Sequence, residues 1–180
     1  MDNFPTLKTE RLRLRELQVS DIADIVSLAN NRKVADMTLS IPHPYQPKDA
    51  IAWINTATEG LKDESHFIFA ICPLPGNNFI GGIGLEINKR FNRAELGFWI
   101  GEPYWNNGYT TEASAAVLQF GFNELTLNKI YATHFIGNPA SGRVMQKNGM
   151  VKEGELVDHL KKGDRYVSLI QYRVTRVEFS

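Results

Sequence analysis

The first clear pattern along the chain is an alternation: between residues 10 and 16, Leu12 and Leu14 fall on one side and Arg11, Arg13 and Arg15 on the other. A period of two marks a half-buried strand. The period then lengthens. Ile22, Ile25, Val26, Leu28 and Ala29 are spaced for one helical face, and Ser20 stands where an N-cap belongs. Residues 40–47, with Pro42, Pro44 and Pro47, read as an irregular loop that delivers Pro47 to the first turn of a second helix striped with Ala50, Ile51, Ile54 and Ala57. Three β-rich runs at 67–72, 79–87 and 93–101, separated by turn residues at 73–78 and 88–92, predict an antiparallel meander. A helix over 110–125, with Ala113, Ala116, Val117, Phe120 and Gly121 along one stripe, leads into an apolar strand at 130–136. Strand, helix, strand implies a parallel pair. Pro139 opens a short helix ending at Gly149, and strands at about 151–160 and 166–177, joined by a turn at 161–164, close the chain in a hairpin.

Composition narrows what such a fold can do. With 180 residues, 43% of them hydrophobic and 22% charged, residues 1–180 read as a single domain able to bury about two-thirds of its unfolded surface. No repeat, low-complexity tract or linker divides it. Twenty basic residues balance twenty acidic ones, so no basic face for nucleic acid is expected and any anion must be bound locally. The single cysteine, Cys72, cannot form an internal disulfide, and His43, His66, His134 and His159 lack metal-ligand spacing, so no metal is expected. No apolar run approaches the roughly 20 residues of a membrane span. The opening stretch, 1–15, is too polar for a signal peptide, and a cytoplasmic protein without membrane contact is expected.

The chemistry concentrates in residues 95–112, ELGFWIGEPYWNNGYTTE, which read as a strand, a polar turn around Gly108 and a helix start. Successive unpaired amides at a helix N-terminus, aided by the helix dipole, hold a pyrophosphate without basic side chains. Gly108 supplies the backbone freedom such a turn needs. The same arrangement also occurs in α/β units that bind nothing.

The run RAELGFWIGEPYWNNGYTTEA, followed by NPASGRVMQKNGM, resembles the GNAT N-acetyltransferase superfamily, in particular its RimJ/RimL-like branch of ribosomal-protein alanine N-acetyltransferases. The opening TERLRLRE and the GDRY of the last hairpin fall in the order of that branch, so the resemblance spans nearly the whole chain. It implies an α/β (α+β) GNAT acyl-CoA N-acyltransferase fold, a mixed splayed sheet of about seven strands flanked by about four helices. Acetyl-CoA would wedge between the fourth and fifth strands, its pantetheine pairing with backbone at Phe98, Trp99 and Ile100. The six pyrophosphate-loop positions are Trp105, Asn106, Asn107, Gly108, Tyr109 and Thr110. Gly108 matches the family strictly; Trp105 replaces a Gln or Arg, and Thr110 places a side chain, with a hydroxyl able to cap or donate, at a Gly or Ala position. The resemblance makes Asn138 the partner of the pantetheine arm and puts Ser141 near the thioester sulfur. Met145 occupies the place where many relatives carry a proton-donating Tyr, which leaves Ser141 either as the acid or as a helix-start residue. Arg143 and Lys147, four apart on one helix face, either meet the coenzyme phosphates or form a solvated pair.

Amide formation from a thioester needs a neutral amine. Reference pKa values of about 10.4 for a lysine and roughly 8 for an α-amine leave about one α-amine in ten neutral at pH 7, against about one lysine in two thousand, a difference of about 3 kcal/mol. A carboxylate base acting directly or through water then suffices for an α-amine. Glu95 is the first candidate, on the strand leading into the loop and on the side of Gly97 and Trp99; the alternative is a structural carboxylate bonded to a neighbouring strand or to Arg93. Asp158 and His159 are the reserve. The resemblance also implies a strand amide near Ile100 facing the thioester oxygen. The expectation is therefore an acetyl-CoA-dependent enzyme acting by direct transfer on the N-terminal α-amine of a ribosomal protein or peptide, with Cys72 uninvolved. The alternatives are a small-amine acetyltransferase (polyamine, amino acid or aminoglycoside) and a non-catalytic acyl-CoA-binding regulator. The acceptor site should come from loop 40–47 and the final hairpin; monomer and homodimer both stay open.

Overall fold

The computed structural model describes residues 4–179; residues 1–3 of the polar opening stretch and residue 180 lie outside the described residues. Eight strands form one sheet: β1 (Leu7–Lys8), β2 (Leu12–Glu16), β3 (His66–Pro73), β4 (Gly81–Asn88), β5 (Arg93–Ile100), β6 (Lys129–Phe135), β7 (Val151–Lys162) and β8 (Arg165–Thr175). Their spatial order is β1-β2-β3-β4-β5-β6-β8-β7. The helices are α1 (Ile22–Ala29), α2 (Arg32–Asp36), α3 (Pro47–Lys62), α4 (Tyr109–Asn123), α5 (Pro139–Lys147) and α6 (Arg176–Phe179).

The meander β3-β4-β5 is antiparallel as the alternation predicts. The crossover through α4 makes β5 and β6 parallel, but they pair only at Arg93–Lys129, Ala94–Ile130 and Glu95–Tyr131. Beyond Glu95 the two strands part and the sheet splays. That split lies between the fourth and fifth of the strands read from sequence, the two-residue β1 having gone unread.

One face of the sheet packs on α4 and α5 through Phe67, Phe69, Leu85, Leu96, Ile130 and Val174, against Val117, Phe120 and Met145. Phe120 meets Phe67 and Phe69 edge-on at 5.3 and 5.7 Å, geometries that add about 0.5–1.5 kcal/mol each to the burial itself. Gly121 lets α4 approach: a Cβ there would stand 2.6 Å from Ile130 Cδ1 and 3.0 Å from Leu85 Cδ1. On the other face a smaller cluster joins Ile25 and Ala29 of α1 and Ala50, Ile54 and Ala57 of α3 to Ala70, Cys72 and Phe79. This second cluster covers only one end of its face, and the uncovered remainder is where the site forms.

Several expectations need correction. The arginine side of β2 is not solvated throughout: Arg15 is buried, holding both Asp21 carboxylate oxygens at 2.8 Å and Asn77 Oδ1 at 2.9 Å. Charge pairing lets it fit beneath α1 where the alternation alone implied water. Ser20 does not cap the first helix; a 3₁₀ turn over Val19–Asp21 precedes it, and Asp21 Oδ2 accepts from Gln18 N at 2.8 Å. The short β1, α2 and α6 were not read, which accounts for eight strands and six helices in place of about seven and four.

Candidate active site

Two clefts open where β5 and β6 separate. The first, about 560 Å³, lies between the end of β5 and the N-terminal turns of α4 and α5. The second, about 730 Å³, lies on the uncovered face of the sheet. Met37, Thr38, Phe98, Trp99, Asn138 and Ser141 line both, so the clefts meet at these residues.

Backbone groups dominate the first cleft. Gly108 adopts φ +78°, ψ 0°, and Asn106 φ +62°, so the loop turns through two left-handed residues before α4 begins. No side chain caps that helix, and its first internal bond from Glu112 runs to Gly108 O at 3.1 Å. The amides of Tyr109, Thr110 and Thr111 are therefore left without helical partners, the arrangement that receives an anion. The free edge of β5 supplies a second set of groups. Gly101 N donates to Ile80 O at 2.9 Å, on the β4 side, so alternation turns the peptide groups of Phe98 and Ile100 toward the split. Trp99, expected to contribute backbone, directs its peptide groups to β4 and offers its side chain to the cleft junction. Ile100 O already accepts from Trp105 Nε1 at 2.8 Å, so Trp105 braces the strand end. Asn107 does not line the cleft: its Nδ2 donates to Trp105 O at 3.0 Å and its carbonyl accepts from Arg11 Nη1 at 3.1 Å.

Arg11 was not identified from sequence, yet it holds this loop in place. Its Nε donates to Glu112 Oε2 at 2.7 Å, its backbone N to Glu112 Oε1 at 2.9 Å, and its guanidinium lies 5.0 Å from the Tyr109 ring centroid. Thr9 Oγ1 adds a 2.5 Å bond to the same carboxylate. Burial pushes the Glu112 carboxyl upward, but the donors from Thr9 and Arg11 outweigh it and hold the group below the usual carboxylate range.

The start of α5 lies at the junction. Asn138 caps it, accepting from Ser141 N at 3.4 Å while its Nδ2 donates to Ser141 Oγ at 3.0 Å. That bond uses a lone pair of the hydroxyl and leaves its proton free to be given elsewhere. Met145 is buried in the core, Arg143 and Lys147 are exposed along the first cleft, and Thr110 lines it too.

Side chains from many elements build the second cleft. Its floor on β5 is Glu95, Gly97 and Trp99; one wall is Leu39, Ser40 and Ile41, and the other comes from Leu156, His159 and Leu160 of β7. Trp53 of α3 packs on Trp99 with centroids 5.9 Å apart. Glu95 accepts from Thr133 Oγ1 at 3.0 Å, faces Glu86 across β4 and Tyr131 across β6. Burial and then the charge of Glu95 raise the Tyr131 phenol, which keeps it protonated near neutrality. Of the reserve pair, His159 lines the cleft, whereas Asp158 sits outside it at a bulge with φ +46°, its N donating to Ser168 Oγ at 2.9 Å. Lys162, also unidentified from sequence, ties the β7–β8 hairpin to the opposite wall, donating to the carbonyls of Ala35 (2.5 Å), Asp36 (3.2 Å) and Thr38 (2.6 Å).

Cys72 is fully buried, and burial pushes its thiol up to about 11, which suppresses the thiolate. Among the described residues no group of His, Cys, Asp or Glu side chains is arranged to hold a metal, and no helix is long and apolar enough to cross a membrane.

A family model described as an acetyltransferase (GNAT) domain matches residues 11–151. An uncharacterized N-acetyltransferase of Bacillus subtilis, YoaA, is 30% identical over 158 residues, covering 87% of this chain and 89% of that protein. The structure of Vibrio cholerae spermidine N-acetyltransferase in complex with CoA and spermine superposes with a TM-score of 0.80 at 25% identity, covering 95% of this chain and 99% of that one. Ribosomal-protein-S5-alanine acetyltransferase from Vibrio fischeri superposes with a TM-score of 0.84 over 98% of this chain and 99% of that one, a likeness of fold at 19% identity.

Proposed function

Since the chain belongs to the GNAT acetyltransferase family, we propose that this N-acetyltransferase moves acetyl directly from acetyl-CoA to the N-terminal α-amine of a protein or peptide, as in the RimJ/RimL-like branch. The meeting of a backbone-lined cleft with a carboxylate-bearing cleft at Phe98, Trp99, Asn138 and Ser141 is the observation that carries this reading. When bound, acetyl-CoA supplies the thioester whose acyl group passes to the amine nitrogen.

The chain's own groups divide the work. The amides of Tyr109, Thr110 and Thr111 hold the pyrophosphate, and the split-facing peptide groups of Phe98 and Ile100 align the pantetheine and donate to the thioester oxygen. Ser141 gives its hydroxyl proton toward the departing sulfur and is reprotonated through cleft water by the proton removed from the amine, while Asn138 fixes its orientation. Glu95 takes the amine's proton. At about 3.3 Å per residue, Glu95 lies roughly 10 Å along the strand from Phe98, so one or more waters carry that proton between them. The buried thiol of Cys72, held protonated, supports direct transfer over a covalent enzyme intermediate.

A small-amine acceptor is the second reading. It is favoured by Glu86 standing directly opposite Glu95, a pair of carboxylates able to receive a polycation. An acceptor screen separates the two by thiol release from acetyl-CoA with ribosomal-protein N-terminal peptides, spermidine, free amino acids and aminoglycosides. Turnover on the peptides is expected. Acetylation confined to the small amines would overturn the acceptor while leaving the transfer chemistry in place.

A further inference from the structure

Glu95 is the last residue of β5 to pair with β6, through Tyr131; if the strands stayed together, the next pair on the same face would be Gly97 opposite Thr133. That pairing is absent, and the Thr133 side chain reaches back across the opening to donate to Glu95 Oε1 at 3.0 Å. A side-chain bond thus replaces the backbone ladder at the point where the sheet opens. Thr133 lines the cleft that Glu95 lines, and on its far side β6 is fully paired to β8, Thr133 with Gln171, which fixes the backbone from which it reaches.

A carboxylate on a long side chain samples several rotamers, and a bond from Thr133 at one oxygen orients its plane. We propose that Thr133 is the positioning residue for Glu95, setting the direction of the carboxylate that takes the acceptor's proton. This rests on Glu95 acting as the base.

The threonine is one influence among several. Glu95 faces Glu86 on β4, with His66 of β3 beyond it; Arg93 lies two residues away on its own strand; Tyr131 and Lys129 stand on β6, and His159 lines the cleft from β7. Lys129 is engaged by Glu153 at 2.6 and 2.9 Å, and the Arg93 guanidinium lies over the Phe91 and Tyr131 rings at 5.3 and 5.5 Å. Tyr131, whose phenol also bonds Glu95, is neutral as Thr133 is, so substituting Thr133 alone changes no formal charge and tests its own hydrogen bond.

The experiment compares Thr133→Val, which keeps the shape, and Thr133→Ser, which keeps the donor, with wild type and Glu95→Gln. kcat and KM for a peptide acceptor are measured separately at neutral pH, so that an effect on turnover is read apart from one on binding. Thr133→Val should lower kcat several-fold, with acceptor KM and acetyl-CoA affinity by calorimetry unchanged; Thr133→Ser should restore kcat. If Thr133→Val loses its cooperative melt, Thr133→Ala carries the same comparison. An unchanged kcat in Thr133→Val, a loss carried by KM alone, or a Thr133→Ser enzyme that behaves like the valine variant, overturns the inference. Should Glu95→Gln turn over normally, the base assignment itself fails and this inference with it; loss in Glu95→Gln beside an unchanged kcat in Thr133→Val sinks the role of Thr133 alone.

Discussion

The two clefts that meet at Ser141 are built on different principles. The side proposed for the coenzyme is made of main-chain groups: three unpaired amides at the start of α4 and the free edge of β5. Its side chains mostly serve as braces, as when Trp105 holds Ile100 O and Arg11 holds Asn107 O. The side proposed for the acceptor is made of side chains drawn from the loop after α2, α3, β3 to β6 and the last hairpin. Main-chain recognition tolerates exchange of residues so long as the backbone path is kept, which is how Trp105 and Thr110 stand at positions of the loop pattern that usually carry other residues. Side-chain recognition changes with each residue, so on the proposed reading specificity for the acceptor belongs to the second cleft.

The sharpest way to break this contrast is to fill the floor of the acceptor cleft. A Cβ on Gly97 would meet nothing within 4 Å, so a larger residue there projects into open cleft and not into packed protein. Gly97→Leu should lower kcat/KM for any acceptor by about a hundredfold, because the nitrogen is held away from its attack position. Acetyl-CoA affinity should stay within a factor of about two, and the melting temperature should hold or rise, since glycine weakens a strand interior. Retained turnover would mean that the acceptor does not lie over Gly97.

The matching change on the coenzyme side is Gly108→Val. Its added Cβ has room, with Arg11 Nη2 3.5 Å away, so the penalty comes from φ +78°. A left-handed residue with a side chain loses about 1–2 kcal/mol, more when β-branched, and acetyl-CoA should bind roughly ten- to thirtyfold more weakly by calorimetry. Acceptor KM measured at saturating acetyl-CoA should not change. An affinity equal to wild type would remove the loop backbone from the binding account.

The same contrast explains what could be read from sequence. The coenzyme side is nearly contiguous: strand, loop and helix follow one another from Arg93 to Asn123, and Asn138 and Ser141 open the next helix. Local periodicity and turn chemistry report on such a stretch. Even there the braces were missed, because Arg11 and Glu112 stand 101 positions apart and nothing near Arg11 announces the pairing. The acceptor walls were placed only to the level of a loop and a hairpin. Lys162 and Ala35 are separated by 127 positions, and α2 is a five-residue helix too short to show a stripe. A signal for α2 was present in Asn31, whose side chain caps it through Lys33 N at 2.9 Å. Trp99 was assigned a backbone role by resemblance, and only the pairing with β4 reveals which of its neighbours carry the free peptide groups.

Lys162 offers a smaller test of the acceptor side. Burial lowers its ammonium from the ordinary lysine value, yet it stays bonded to three carbonyls from the end of α2 and the following loop. Lys162→Met keeps much of the stem and removes the donors. The wall formed by residues 37–41 should loosen, raising acceptor KM about three- to tenfold, the effect of losing one to two net hydrogen bonds. Calorimetry with acetyl-CoA should register no change beyond a factor of about two. Equal weakening of both ligands would show that the strut supports the whole junction.

The smallest effect is expected at the brace beneath the coenzyme loop, and it depends on pH. Because the Glu112 carboxyl is depressed by its donors, it adds stability above its unfolded value of about 4.3 and loses that contribution as pH falls through this value toward the folded one. Glu112→Gln should therefore melt lower than wild type near neutrality, by about 2–4 °C if the pair is worth about 1 kcal/mol after solvent screening. As pH falls below the unfolded value and through the folded one, the two curves should converge, since the wild-type carboxyl is then protonated too. The amides of Tyr109 to Thr111 remain in place without it, so acetyl-CoA affinity should fall by no more than about threefold. A melting gap that does not narrow at all as the pH is lowered from neutrality into the acid range would show that Glu112 acts by packing and not by charge.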